Sequence, residues 1–243
     1  MEIIKLSATE STNSYLKQLM TVASPSDFTV VMAHAQTKGR GQVNTSWESE
    51  PGKNLTFSVL KKYDALSLDD NFLISLCVSC AVYEVLSDLG LPRLRVKWPN
   101  DILSGTSKIC GILIENSIGG SQIKNSVIGI GLNVNQILFS NQTKVSSLKM
   151  LLGREIDLDL LLQAILENLH RYLNKIGSLQ WETIIDQYEG VLFKKDSPAT
   201  FQEPNGPLFT AVIKGITKEG KLKLSTENDT IKEYGLKEIK LHY

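Results

Sequence analysis

The chain is poor in several residue types that would give an early answer. There are three cysteines, Cys77, Cys80 and Cys110, in 243 residues. An odd, low count argues against a disulfide framework and agrees with a reducing compartment. Cys77 and Cys80 form a C-x-x-C, but inside an apolar helical stretch with no second pair nearby. A redox dithiol usually opens a helix and zinc needs about four ligands, so these thiols read as small buried hydrophobes. The three histidines, His34, His170 and His242, have neither metal spacing nor a serine-elbow context, and they read as structural or surface residues. Charge is balanced, 26 basic against 26 acidic residues, so nothing global draws the chain to nucleic acid or an anionic membrane. No apolar run approaches the roughly 20 residues of a transmembrane helix. The first residues, Met1-Glu2-Ile3-Ile4-Lys5, begin as a strand rather than a signal peptide, which makes the cytoplasm the expected compartment. No P-loop occurs. Gly129-x-Gly131 fails as a dinucleotide fingerprint because Val134 stands at the third glycine position. There is no internal repeat and no low-complexity tract.

What remains is a globular composition, 42% hydrophobic and 21% charged. The pattern predicts an edge strand over 1–6 and strands over 28–35, 54–60, 109–115 and 126–135. A long helix is expected after Ser67, with Asp69 and Asp70 complementing its dipole and an apolar stripe at Leu73, Leu76, Cys80, Tyr83 and Leu86. Further helices are expected over 146–152, from Asp157, and over 178–188. After Gly190 short alternating runs are broken by Pro204-Asn205-Gly206, Glu219-Gly220 and Glu227-Asn228-Asp229, which reads as a small all-β module. The expected division is therefore 1–190 and 191–243.

Four stretches carry chemistry. Ser11-Thr12-Asn13 can cap a helix or aim hydroxyl and amide groups at a ligand's urea or carbonyl. The loop 36–47 has two glycines, two cations and no acid. Gly39 and Gly41 let backbone N–H groups turn toward an anion, and Arg40 supplies a planar fork. In Lys97-Trp98-Pro99-Asn100-Asp101 the proline ends a strand and leaves Asn100 and Asp101 at its tip, with Lys108 opening the strand that returns from a hairpin at 104–107. Gly129-Ile130-Gly131-Leu132-Asn133 places two glycines in a strand, where another backbone or a ligand must approach closely.

In this order and at these intervals the four stretches resemble a biotin–protein ligase (biotin–[acetyl-CoA-carboxylase] ligase) over nearly the whole chain. K-W-P-N-D followed by K-x-x-G-I-L-x-E is the most specific part, and G-R-G before a tryptophan is next. The resemblance implies an α+β fold: a mixed sheet flanked by helices, like the class II synthetase catalytic domain, plus a small C-terminal SH3-like β-barrel. It implies that biotin and ATP give biotinyl-5′-AMP and pyrophosphate, after which the acyl group passes to a lysine of a biotin carboxyl carrier protein. Ser11, Thr12, Asn13 and Gln36 are then biotin contacts, together with Arg40, Gly41, Gln42, Lys108 and Gly111. Arg40, Trp47, Asn100 and Asn133 are nucleotide contacts, and Arg40, Lys108 and Asp101 carry the catalysis. Mg²⁺ is expected on the phosphates, without a dedicated protein site.

Two departures stand out. Gln42, Val43 and Thr45 stand where further arginines often occur, so the loop is less basic than usual in the family. The chain also begins directly with the first catalytic strand, so no DNA-binding winged helix and no repressor role are expected. Lipoate–protein ligase is the nearest enzyme alternative. A non-catalytic carrier binder is an alternative of another class, and recruitment of Pro-rich peptides by the C-terminal module is a third. Edge strands could pair two subunits as a homodimer or dock the carrier domain.

Overall fold

A computed structural model of the chain describes residues 1–42, 45–140, 144–178, 181–226 and 230–243. Val43, the turn expected at 227–229 and the start of the helix expected over 178–188 fall wholly or partly outside these residues. The elements in chain order are β1 (Ile3–Leu6), α1 (Thr12–Val22), β2 (Val30–Ala33), β3 (Leu55–Ser67), α2 (Asn71–Asp88), β4 (Leu94–Lys97), β5 (Asp101–Ser104), β6 (Ser107–Gly119), β7 (Gln122–Leu132), α3 (Leu148–Leu152), α4 (Leu158–Leu173) and α5 (Trp181–Gly190). The C-terminal part adds β8 (Pro198–Gln202), β9 (Leu208–Ile216), β10 (Leu222–Ser225), β11 (Ile231–Tyr234) and β12 (Lys240–His242).

Seven strands form one mixed sheet in the order β1-β2-β3-β7-β6-β5-β4. β1 and β2 are parallel, and every later pair is antiparallel. Side chains alternate across a sheet, and here the two faces have different tasks. Leu55, Phe57 and Val59 of β3 and Ile128, Ile130 and Leu132 of β7 point into the main core beneath α2 and α4. Their sequence neighbours Thr56, Ser58, Gly129 and Gly131 point the other way. On that face the end near α1 is apolar, with Leu16, Val31, Leu60 and Val127 packed together. The middle of the second face is left small and polar.

Several expected boundaries move. The strand expected over 28–35 is only Val30–Ala33, because Phe28 adopts φ +62 in a turn. β3 runs on to Ser67, and Ser67 Oγ accepts from Asp69 N to cap a single 3₁₀ turn before α2 begins. Residues 133–135 lie beyond the end of β7. Ser11 occupies the N-cap of α1, but its side chain makes no capping bond. α2 is buried on nearly all sides rather than along one stripe, because the sheet, α4 and α5 all pack on it. Leu68–Asp88 is long and apolar enough to cross a membrane by length and composition, which counting uninterrupted apolar runs overlooks. In the fold this helix is core.

The second sheet, β11-β10-β9-β8-β12, is antiparallel throughout and is consistent with an SH3-like module. It is tied closely to the first. Val96 of β4 exchanges backbone hydrogen bonds with 191–193, Trp98 Nε1 donates to Gly220 O at 2.9 Å, and Glu189 accepts from Ile216 N at 2.9 Å. The apolar core continues across residue 190 into Phe201, Ile213, Ile216 and Leu222.

Candidate active site

Cross-strand register builds the floor of the site. Thr56 pairs with Gly131, Gly131 with Gly111, Gly111 with Asp101, and Asp101 with Lys97, so one row crosses five strands. The next row is Ser58, Gly129 and Leu113. Above these rows lies a cavity of about 290 Å³. Ser11, Thr12, Asn13, Gln36, Arg40, Gly41, Gln42, Trp47, Asn100, Asp101, Lys108 and Gly111 all line it. Asn133 does not. It is buried beyond the end of β7, with its amide donating to Ser146 O at 3.1 Å.

The glycines in the strands are explained by close approach. A Cβ on Gly129 would collide with Asn13 Oδ1, and one on Gly131 would collide with the indole of Trp47. Trp47 therefore lies flat against the floor, and at Gly111 it would be 3.1 Å from an added Cβ. Its Nε1 is buried without a hydrogen-bond partner. The loop that carries it folds back on itself, with Gly41 N donating to Thr45 O at 2.8 Å and Trp47 N to Gly39 O at 3.0 Å.

At the α1 end, Gln36 Oε1 accepts from Thr12 N at 2.8 Å and from Thr12 Oγ1 at 3.2 Å. Ser58 Oγ lies 2.7 Å from Thr12 Oγ1 and 2.6 Å from Asn13 Oδ1. Asn13 Nδ2 donates to Glu115 Oε2 at 2.9 Å, so both ends of this buried amide are held and its orientation is fixed. Ser11-Thr12-Asn13 thus serves the cavity rather than the helix end. Sequence reasoning missed Ser58. The signal was present, because Thr56 and Ser58 alternate with apolar residues inside a strand whose neighbours are all buried.

At the opposite end, Asp101 Oδ1 lies 2.6 Å from Lys108 Nζ, and Asp101 Oδ2 lies 3.5 Å from Lys97 Nζ. Strict alternation would put Lys108 and Gly111, three residues apart, on opposite faces. The β5–β6 register slips between Ile102 and Leu103, so Ile109 becomes the extra residue of a bulge. The bulge returns Lys108 to the cavity, as bulges near functional sites commonly do. Lys97, which sequence reasoning gave no role, joins the lining. Arg40, Lys97 and Lys108 against Asp101 make the lining net cationic, which suits an anionic ligand. Asn100 fixes the turn, its Nδ2 donating to Ile112 O at 2.6 Å. Among the described residues no three His, Cys, Asp or Glu side chains gather as a metal site.

The description "Biotin/lipoate A/B protein ligase family" matches residues 6–133, which is more than half of the chain and includes every residue lining the cavity. The chain belongs to this ligase family. Among curated relatives, the bifunctional ligase/repressor BirA of Bacillus subtilis is 29% identical over 217 residues, covering 88% of this chain and 66% of that protein. The protein of the same name from Escherichia coli is 34% identical over 128 residues, 51% of this chain and 38% of that one. The chain therefore spans two thirds or less of these relatives. A biotin protein ligase from Aquifex aeolicus, solved with biotin and ATP, superposes with a TM-score of 0.82 at 25% identity, covering 99% of this chain and 98% of that one. The ligase-family match ends at the end of β7, so the second sheet lies outside it.

Proposed function

We propose that the protein ligates biotin to a lysine of a biotin carboxyl carrier protein through biotinyl-5′-AMP, using ATP. The observation that carries this reading is one cavity with two unlike ends. The Thr12–Asn13–Gln36 end offers fixed neutral donors and acceptors, which suits a ureido ring. The Lys97–Asp101–Lys108 end gathers cations where a carboxylate and an α-phosphate have to meet. The two reacting anions must come within about 3–3.5 Å, and preplaced cations that meet the developing charge lower that barrier. Arg40 can contact both anions as a fork, while Lys108 acts as a movable point charge.

In the first step a biotin carboxylate oxygen attacks the α-phosphorus and pyrophosphate leaves. In the second the acceptor amine attacks the acyl carbon and AMP leaves. The acceptor lysine, with a free pKa near 10.4, must lose a proton on the way. Asp101 is the carboxylate placed to hold or receive it. The cavity's one carboxylate is already shared by two lysines. Mg²⁺ is therefore read as arriving on the nucleotide oxygens rather than in a protein cage. Trp47 and Asn100 are read as nucleotide contacts. The unpartnered Nε1 of Trp47 supplies a donor for the same ligand, whereas Asn133, which does not line the cavity, is given no contact with it. Residues 1–190 are read as the catalytic unit, and 191–243 as a brace behind Trp98.

The test is incubation with biotin, MgATP and a biotin-carrier domain, reading mass gain on the carrier lysine. Gain that requires ATP and is lost in Lys108→Ala supports the reading. Thermal shift with lipoate but not biotin would overturn it in favour of the lipoate branch of the family.

A further inference from the structure

Glu115 lies on β6 on the same face as Gly111 and Leu113, just outside the cavity, and its carboxylate is saturated with donors. Oε1 pairs with Lys17 Nζ at 3.0 Å and with Arg40 Nη2 at 3.0 Å. Oε2 accepts from Asn13 Nδ2 at 2.9 Å and from Arg40 Nη1 at 3.4 Å. The carboxylate is the more buried partner, 19% exposed against 46% for Arg40. Burial pushes the Glu115 carboxyl up, but hydrogen bonds from Asn13 and Lys17 and the charges of Lys17 and Arg40 outweigh it and hold it below its ordinary range.

The arrangement has a consequence for the loop. Arg40 is the loop residue whose side chain is tied to the sheet by a two-point contact, and in that contact its fork is used up. A guanidinium gripping one carboxylate with two N–H groups cannot give the same two to another anion. We propose that Glu115 is a positioning residue for Arg40: it holds the Gly39–Gly41 loop over the site and is displaced from part of the guanidinium when an anionic ligand enters. Glu115 thereby links the two ends of the site, because the same carboxylate fixes the Asn13 amide. The identity of the displacing anion, biotin carboxylate or nucleotide phosphate, rests on the ligase reading. The grip on Arg40 does not.

The test is hydrogen–deuterium exchange of the full-length protein at the loop amides. Gly41 N and Trp47 N are bonded inside the loop, so their exchange reports whether it stays closed. Glu115→Gln places an amide donor opposite Arg40 and Lys17, and exchange at these two amides in the ligand-free protein should quicken roughly five-fold. Adding biotin with MgATP should erase the difference between variant and wild type, since the ligand then supplies the anion. The KM for ATP should fall while kcat does not rise. Arg40→Ala should quicken the same amides, and the double variant should add nothing further. Unchanged exchange in ligand-free Glu115→Gln, or additive effects in the double variant, would overturn the proposal. The exchange measurements on ligand-free protein are made without turnover, so an absence of biotin transfer would count against the ligase reading and leave this one standing.

Discussion

Asp101 Oδ1 sits 2.6 Å from the ammonium of Lys108, and Lys97 approaches the other oxygen at 3.5 Å. This carboxylate is the counter-ion of two lysines. Its removal is therefore expected to damage both half-reactions. Asp101→Asn should lower pyrophosphate release from biotin and ATP on the order of 100-fold, because Lys108 loses its anchor. Transfer from preformed biotinyl-AMP should fall as well if Asp101 receives the amine proton as proposed. Single-turnover assays of the two steps separate these effects. Undiminished transfer would confine Asp101 to holding Lys108.

The two glycines of β7 predict separable defects. Gly129→Ala pushes on Asn13 and Gly131→Ala pushes on Trp47. The first should raise the KM for biotin on the order of ten-fold, about 1.4 kcal/mol, and leave that for ATP nearly alone. The second should do the reverse. Steady-state kinetics with each substrate varied in turn checks this. A matching rise in both constants for both variants would mean that the strand, not the two side chains, had been disturbed.

Ser58→Ala tests the contact that sequence reading missed. It strands Asn13 Oδ1 in a buried setting, while Thr12 Oγ1 keeps Gln36 Oε1. A cost of about 1–3 kcal/mol is expected for leaving a buried group unsatisfied. Denaturant unfolding should show the loss of stability, and added biotin should recover part of it by binding the folded form.

The thiols are predicted to be inert. Burial pushes Cys80 and Cys110 up to about 12 and Cys77 higher still. All three are free and buried. At pH 8 the thiolate is scarce and shielded, so iodoacetamide should leave the native protein unlabelled and add three groups after denaturation. Labelling of the native C-x-x-C at the rate of a free thiol would contradict this.

The Glu115 cluster sets a pH limit. Its carboxyl is held below the ordinary carboxylate range while Lys17 of α1 and Arg40 of the loop face it as cations. A depressed folded-state pKa means that the contribution is present above the unfolded value, near 4.3, and is lost as pH falls through the lower folded value. Loop amide protection should therefore be flat from pH 8 down to about 5 and decline only below the ordinary glutamate range. Loss of protection already near pH 6.5 would implicate another group.

The sequence by itself determined the strand–loop–strand frame, the helices after Ser67 and Asp157, and which four stretches meet around the cavity. Short motifs at strand ends and in Gly-rich loops are set by local backbone requirements, and those can be read without partners. It could not show which way Lys108 points, since a one-residue bulge reverses a face and arises from the pairing of β5 with β6. Nor could it show what Ser58, Lys97 and Glu115 stand against. Their roles come from register across β3, β7, β6, β5 and β4, which sets residues as distant in the chain as Leu55 and Leu132 side by side. A buried polar side chain takes its meaning from what stands opposite it, and only the tertiary fold supplies that neighbour.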